Sequence, residues 1–192
     1  PTHANYIKPG SAYTVKKVQG THDAKATFDA DDLTNLITLA GNTSGNIHLI
    51  DADSDAATFP KLEGSIDQLT TVFGNSRIKD IGSSVAEIVI ASGSIAQAAD
   101  LKLINSKTDK LVKLTGGTGV IISGEAEDVK DVLAAKGADN AASNTIFLGN
   151  TTVANPVLIT GNEAPVAQLD LIVDKANNYA TLLTAGTITV VS

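Results

Sequence analysis

Five short segments of this chain repeat one amphipathic pattern, and that recurrence constrains the fold more than any other feature. Each reads polar–Leu/Val–x–x–Leu/Ile/Val. They are Asp32-Leu33-Thr34-Asn35-Leu36-Ile37, Gln68-Leu69-Thr70-Thr71-Val72-Phe73, Asp100-Leu101-Lys102-Leu103-Ile104, Asp128-Val129-Lys130-Asp131-Val132-Leu133 and Gln168-Leu169-Asp170-Leu171-Ile172-Val173. Apolar residues at i, i+3 and i+4 form one face of a short helix. The anchors Leu33, Leu69, Leu101, Val129 and Leu169 stand 36, 32, 28 and 40 residues apart. Spacing clustered about one size points to a repeat architecture.

The flanks of these helices repeat too. Leu62-Glu63-Gly64-Ser65, Ala91-Ser92-Gly93-Ser94, Ile122-Ser123-Gly124-Glu125 and Ile159-Thr160-Gly161-Asn162 each place a strand end, a turn and a cap before a helix. Ser65 with Gln68, and Ser94 with Gln97, read as capping boxes, in which each side chain satisfies a free backbone group of the first turn. Asn162 is placed to cap the last helix, with Pro165 in its first turn. Asp29, Asp31 and Asp32 stand where the dipole of the first helix favours negative charge.

Between the helices lie extended, β-branched runs in pairs. They cover 47–50 with 58–62, 78–81 with 87–91, 110–115 with 120–123, 145–148 with 157–160, and 181–184 with 187–191, while 14–18 and 25–28 open the series. No single unit is large enough to bury its own apolar face, whereas stacked neighbours share a continuous core. The expected fold is therefore α/β: a short solenoid-like repeat of strand–strand–helix units with five short helices and strand pairs at both ends. A two-layer α+β sandwich is the alternative. Residues 14–192 form one repeat domain, and residues 1–13 an extended N-terminal arm.

Composition agrees with thin, regular layers. The apolar 43% is mostly Ala, Val, Ile and Leu, aromatics are 4%, and Trp, Met and Cys are absent. Without Cys there is no disulfide, thiolate–zinc site or thiol nucleophile. The net charge of −7 comes with only one adjacent basic pair, Lys16–Lys17. A nucleic-acid footprint needs clustered cations, so no nucleic-acid partner is expected. No run approaches the ~20 apolar residues that cross a bilayer, so no membrane partner is expected either. The first residues lack the pattern of a secretory signal. Pro1 fits removal of an initiator methionine, so the sequence reads as a whole gene product.

The stretch from Ile88 through Ser92-Gly93-Ser94 and Ala99-Asp100-Leu101 to Ile104 carries one grammar, as does the stretch from Val112-Lys113-Leu114 through Ile121-Ile122-Ser123-Gly124 to Val129. It runs strand, small polar turn, Ala-Asp-Leu helix, strand, Ile-x-Gly. It resembles the degenerate strand–helix–strand repeats of large cyanobacterial surface proteins and of virion structural proteins of marine phages that infect cyanobacteria. The likeness is best over about residues 85–135. It implies surface display or virion structure, with no catalytic residue.

Motifs of chemistry are weak. His3, His22 and His48 lack the i, i+4 partner of a helical zinc site, and no metal or other cofactor is expected. Thr115-Gly116-Gly117-Thr118-Gly119 is followed by Val120-Ile121-Ile122, a strand rather than the helix of a phosphate loop, and reads as a hairpin turn. Asp51-Ala52-Asp53-Ser54-Asp55 offers alternating carboxylates, but Ala56 and Leu62 stand where a calcium loop needs Gly and Glu. A solvated turn is the preferred reading there, with a weak calcium site as the alternative. Nothing selects the facing carboxylate pair of a glycosidase, and aromatic platforms for sugars are few. The chain is expected not to be an enzyme.

Tyr6, Ile7, Pro9 and Tyr13 place aromatic and apolar side chains about a proline in the arm, a pattern suited to docking on a neighbour. The expected function is a phage virion structural protein: a capsid decoration, cement or vertex-knob component. It would sit on the capsid surface, held through the arm to the major capsid protein or another virion protein, as a homo-oligomer. The alternative is a fragment of a bacterial surface-layer protein or adhesin at the cell surface.

Overall fold

The computed structural model describes residues 13–17, 28–51, 61–79, 81, 87–91, 95–114, 121–135, 146–147, 157–161, 163–175, 182–184 and 189–191. Along these, β1 (Tyr13–Lys17) is followed by α1 (Ala30–Asn42), β2 (Ile47–Asp51), β3 (Leu62–Gly64), α2 (Ile66–Gly74), β4 (Ile78–Lys79), β5 (Glu87–Ile90) and β6 (Ile95–Gln97). Next come α3 (Ala98–Ser106), β7 (Leu111–Leu114), β8 (Ile121–Gly124), α4 (Ala126–Ala134), β9 (Ile146–Phe147), β10 (Val157–Ile159) and β11 (Glu163–Pro165). The order ends with α5 (Val166–Lys175), β12 (Leu182–Thr184) and β13 (Thr189–Val191). All five expected helices are present.

The protein is mixed α/β, built on small parallel sheets with no closed barrel. The first sheet has the order β1-β2-β4, the second β3-β5-β7-β9, the third β6-β8-β10-β12 and the fourth β11-β13. Every pairing in these sheets is parallel. Phe28 bridges to Leu62, which carries the second sheet back before α1. Neighbouring strands come from successive stretches between helices. The helices keep the same order, α1 against α2, α2 against α3, α3 against α4 and α4 against α5. Chain order and spatial order therefore run together in both layers.

Two expectations are corrected here. The runs on either side of residues 115–119 do not form a hairpin: β7 pairs with β5 and β9, and β8 with β6 and β10. A hairpin needs an antiparallel pair, whereas each of these strands adds to a different parallel sheet; the loop itself lies outside the described residues. The capping sites of α3 and α5 also shift. Gln97 is itself the cap residue of α3 and makes no side-chain cap bond, because Ile95–Gln97 continues as β6 up to the helix. Pro165 ends β11 rather than entering α5. It stands in a sheet of only two strands, where a missing N–H is tolerated. Asn162 lies outside the described residues.

The caps of α1 and α2 follow the sequence. The Asp29 carboxylate accepts from the backbone N–H of Asp31 and of Asp32, both at 3.1 Å, and the Asp32 carboxylate accepts from the Asp29 N–H at 3.2 Å. Ser65 and Gln68 form the same reciprocal box. Such a cap is worth about 1 kcal/mol.

The core runs between the helices and the sheets. Leu33, Leu69, Leu101 and Val129, the anchors of the first four helices, are fully buried. Beneath them lie the strand residues Ile47, Leu62, Ile88, Val112, Ile122, Val157 and Ile159, also buried. Two glycines set the closeness of the layers. A Cβ on Gly64, the last residue of β3, would stand 2.3 Å from Leu33 Cδ1 of α1. A Cβ on Gly124, the last residue of β8, would stand 3.0 Å from Ala98 Cβ of α3. In each case the strand leading into one helix closes on the helix before it. Equivalent backbone bonds follow: Ala91 N–H donates to Gly64 O and Thr160 N–H to Gly124 O, both at 2.8 Å.

Candidate docking surfaces

The four arm residues singled out in the sequence fall on both sides of the described boundary. Tyr13 opens β1, in register with Ile47 of β2. Tyr6, Ile7 and Pro9 lie outside the described residues. So do His3, His22 and residues 52–55 of the acidic run, while Asp51 closes β2. His48 sits in the middle of β2, paired in the ladder with Thr14 and Lys79. Asp109 and Asp174 are exposed. Among the described residues, no three His, Cys, Asp or Glu side chains come together as a metal site, and no helix is long and apolar enough to cross a membrane.

The outer face of the helices carries polar bridges from each helix to the next. Gln68 of α2, having closed its own cap, donates its amide to Ala30 O and Thr34 Oγ1 of α1, each at 3.0 Å. Lys102 of α3 reaches Asp128 at 3.0 Å and Asp131 at 2.7 Å on α4. Within α4, Lys130 pairs with Glu127 and Asp131, and Gln168 of α5 donates to Glu127. Hydrogen bonds to Asp131 and then Asp128 push the Lys102 ammonium well above the usual lysine range. The same bond from Lys102 holds the Asp131 carboxyl below its ordinary value against the opposing effect of burial. Asp100, between α2 and α3, is shifted the other way: burial raises it first, and the negative charge of Asp67 second. These are exposed pairs whose individual contributions are small, and their chemistry is that of bracing.

Arg77, the single arginine of the chain, stands in the turn before β4. Its guanidinium donates to Ala40 O at 3.0 Å and Thr43 O at 2.8 Å. It thereby satisfies carbonyls at the C-terminal end of α1, where a cation suits the helix dipole. No local pattern in the sequence marks this contact, because its partners are 34 and 37 residues away.

A groove of about 700 Å³ lies beside β4, the edge strand of the first sheet. Phe73, Ile78 and Ile81 supply apolar wall, while Lys79, Lys107 and Asp109 supply charge. After α3 the chain passes directly to β7 of the second sheet, and among the described residues no strand pairs with the outer edge of β4, whose residues line the groove. An exposed strand edge beside apolar wall has the form that receives an extended segment.

A second surface lies on α5. Val166, Leu171 and Val173 of this helix and Val190 of β13 are exposed, whereas the equivalent Leu133 of α4 is buried. Sequence reading placed all five helices in one class and did not separate this last one from the rest. Comparison of the chain with family models, with curated proteins and with solved structures returns no match.

Proposed function

We propose that this chain is a virion structural protein of a phage, a decoration, cement or vertex-knob component of the capsid surface that performs no catalysis. In this reading the units stack as a short solenoid-like array, and the N-terminal arm, through Tyr6, Ile7, Pro9 and Tyr13, fastens it to the major capsid protein or to another virion protein. The resemblance of residues 85–135 to cyanophage virion repeats supplies the direction. The observation that carries it is the agreement of chain order with spatial order. Helices α1 to α5 pack in sequence, and each sheet grows by parallel addition from the next unit. Such an array is stiff along its length and presents long lateral surfaces, which suits a scaffold that stands on a lattice. The braces from Gln68, Lys102 and Gln168 tie successive helices on the outer face.

The test is mass spectrometry of the intact proteins of the purified source particle. The reading expects the chain as a discrete component present in many copies per particle. Recovery of its peptides only from a much longer secreted polypeptide would overturn it in favour of a bacterial surface-layer or adhesin fragment. Deletion of residues 1–12 is expected to abolish attachment to the capsid shell while leaving the far-ultraviolet circular dichroism of the body unchanged.

A further inference from the structure

Successive helices of the array meet at one recurrent place on their outer face. Counted from its first residue, each helix carries its anchor at the fourth position, and the third position meets the helix before it. Gln68, third in α2, donates to Thr34, fifth in α1. Asp128, third in α4, takes Lys102, fifth in α3. Gln168, third in α5, donates to Glu127, second in α4. At the α2–α3 junction the same place holds Asp100, third in α3, facing Asp67 and Thr70, second and fifth in α2. Here acid meets acid, and like charges repel. Thr70 Oγ1 is buried and completes no hydrogen bond, so the hydroxyl only tempers the rise of Asp100 that burial and then Asp67 cause. Among the described residues, no ion pair or completed side-chain hydrogen bond ties α2 to α3.

The sheets are thin at the same junction. Between α3 and α4 two sheets cross, the second where β7 pairs with β9 and the third where β6 pairs with β8. Between α2 and α3 the first sheet has ended with β4 and the third begins with β6. Among the described residues, only the second sheet crosses there, from β3 through β5 to β7. Packing is looser too. Gly64 and Gly124 close tightly on Leu33 and Ala98, whereas a Cβ on Gly74, the last residue of α2, would stand 4.0 Å from Leu103 Cδ2 of α3. The groove beside β4 lies in this junction, with Phe73 and Ile78 on the α2 side and Lys107 and Asp109 on the α3 side. Among the described residues the α4–α5 junction is likewise crossed by one sheet, the third, through β10, but Gln168 bridges its helices. These two junctions share a single-sheet crossing and differ in the brace.

We infer that the α2–α3 junction is a hinge. The part of the chain carrying α1 and α2 turns as one body against the part carrying α3 to α5, and the groove opens and closes with it. Each body is braced internally: Gln68 and Arg77 hold the first, Lys102 and Gln168 the second. Hinges sit where few contacts couple two packed bodies. The pivot is the β3–β5 ladder, with Leu62 opposite Ile88 and Gly64 opposite Ile90. Opening draws Asp100 away from Asp67 and lets water reach Thr70 Oγ1, which relieves both the repulsion and the unmet hydroxyl. Closure keeps Phe73 and Leu101 buried. Opposed terms of this kind leave two forms close in free energy.

This inference does not rest on the virion reading, and its test needs only the purified chain. Ala91 N–H to Gly64 O crosses the α2–α3 junction, and Thr160 N–H to Gly124 O crosses the α4–α5 junction. Both bonds are 2.8 Å, and each acceptor stands two residues before a helix. Their amides are matched reporters of opening. Hydrogen exchange, corrected for intrinsic rates, is expected to be faster at Ala91 than at Thr160. Thr70→Lys places at the fifth position of α2 the lysine that α3 carries as Lys102. It should slow exchange at Ala91 by about threefold and leave Thr160 unchanged. Asp100→Asn should slow Ala91 less, with the same selectivity. Should Thr70→Lys fail to fold, Asp67→Asn, at an exposed position, removes the repulsion from the α2 side. An Ala91 amide no faster than Thr160 in the parent overturns the inference. So does slowing shared equally by both amides, which reports stabilisation of the whole chain, and so do folded variants that leave Ala91 unchanged.

Discussion

The first and last helices carry the same amphipathic pattern but end the array in different ways. Helix α1 begins in a reciprocal Asp29–Asp32 cap, takes Gln68 from α2 on its flank and receives Arg77 at its C-terminal end. Its anchor Leu33 and its second apolar residue Leu36 are buried. Helix α5 is tied to α4 through Gln168, and its anchor Leu169 is only partly buried. Burial in this fold is therefore supplied by the following unit as much as by the sequence of the helix itself. Two helices with one pattern differ in their surroundings: among the described residues α1 has α2 packed on its far flank, and no helix packs on the far flank of α5.

The largest effect that sharpens this contrast comes from the anchors. Leu101→Ala empties a fully buried site and is expected to cost about 2–5 kcal/mol in chemical denaturation. Leu169→Ala in α5 should cost less than half as much, and equal losses would break the comparison. Gly64→Ala comes next. Its Cβ would stand 2.3 Å from a Leu33 side chain that is itself buried. An overpacking loss of about 1–3 kcal/mol is expected. The double variant with Leu33→Ala should recover part of that loss, since the clash would then be gone.

At the other end of α1, Arg77→Ala removes a charged donor from two carbonyls and should destabilise by about 1.5 kcal/mol. Arg77→Lys should restore only part of this, because an ammonium lacks the planar fork that reaches both acceptors. The smallest effect belongs to Lys102→Ala, at most about 1 kcal/mol given the exposure of the pair. Its pH dependence is specific. The lowered Asp131 contributes stability that is present at neutral pH and lost as the pH falls through its folded-state value. The raised Lys102 contributes stability that is lost as the pH climbs through the alkaline range. The difference in melting temperature between Lys102→Ala and the parent should be widest between those limits and close on both sides. A difference that stays constant across the whole range would remove the bridge from the account.

Much of the layout was legible in the sequence because it is local. The i, i+3, i+4 stripes located all five helices, and short β-branched runs located most strands. The Ser65–Gln68 box was read correctly because cap chemistry acts over three residues, whereas Asp29 was read only as a charge suited to the helix dipole. What escaped was either too short or too distant. β6 and β11 are three residues long, each with one buried alanine between more exposed neighbours, which is too little for a period to declare itself. The direction of pairing was missed at residues 115–119 because a Gly-rich loop is compatible with a hairpin and with a passage between sheets alike. Arg77 and the interhelical braces join residues more than 25 positions apart, and no spacing rule reaches that far. The open face of α5 was hidden for the opposite reason: its sequence obeys the repeat, and only its neighbourhood differs.

Hydrogen exchange read helix by helix tests the central claim most directly, since protection reports how firmly each unit is held by its neighbours. The measurement is made on the purified protein. The account predicts that the amides of α3 and α4 exchange far more slowly than those of α5. Equal protection of α4 and α5 would contradict it, because a neighbouring helix on the far flank would then add nothing.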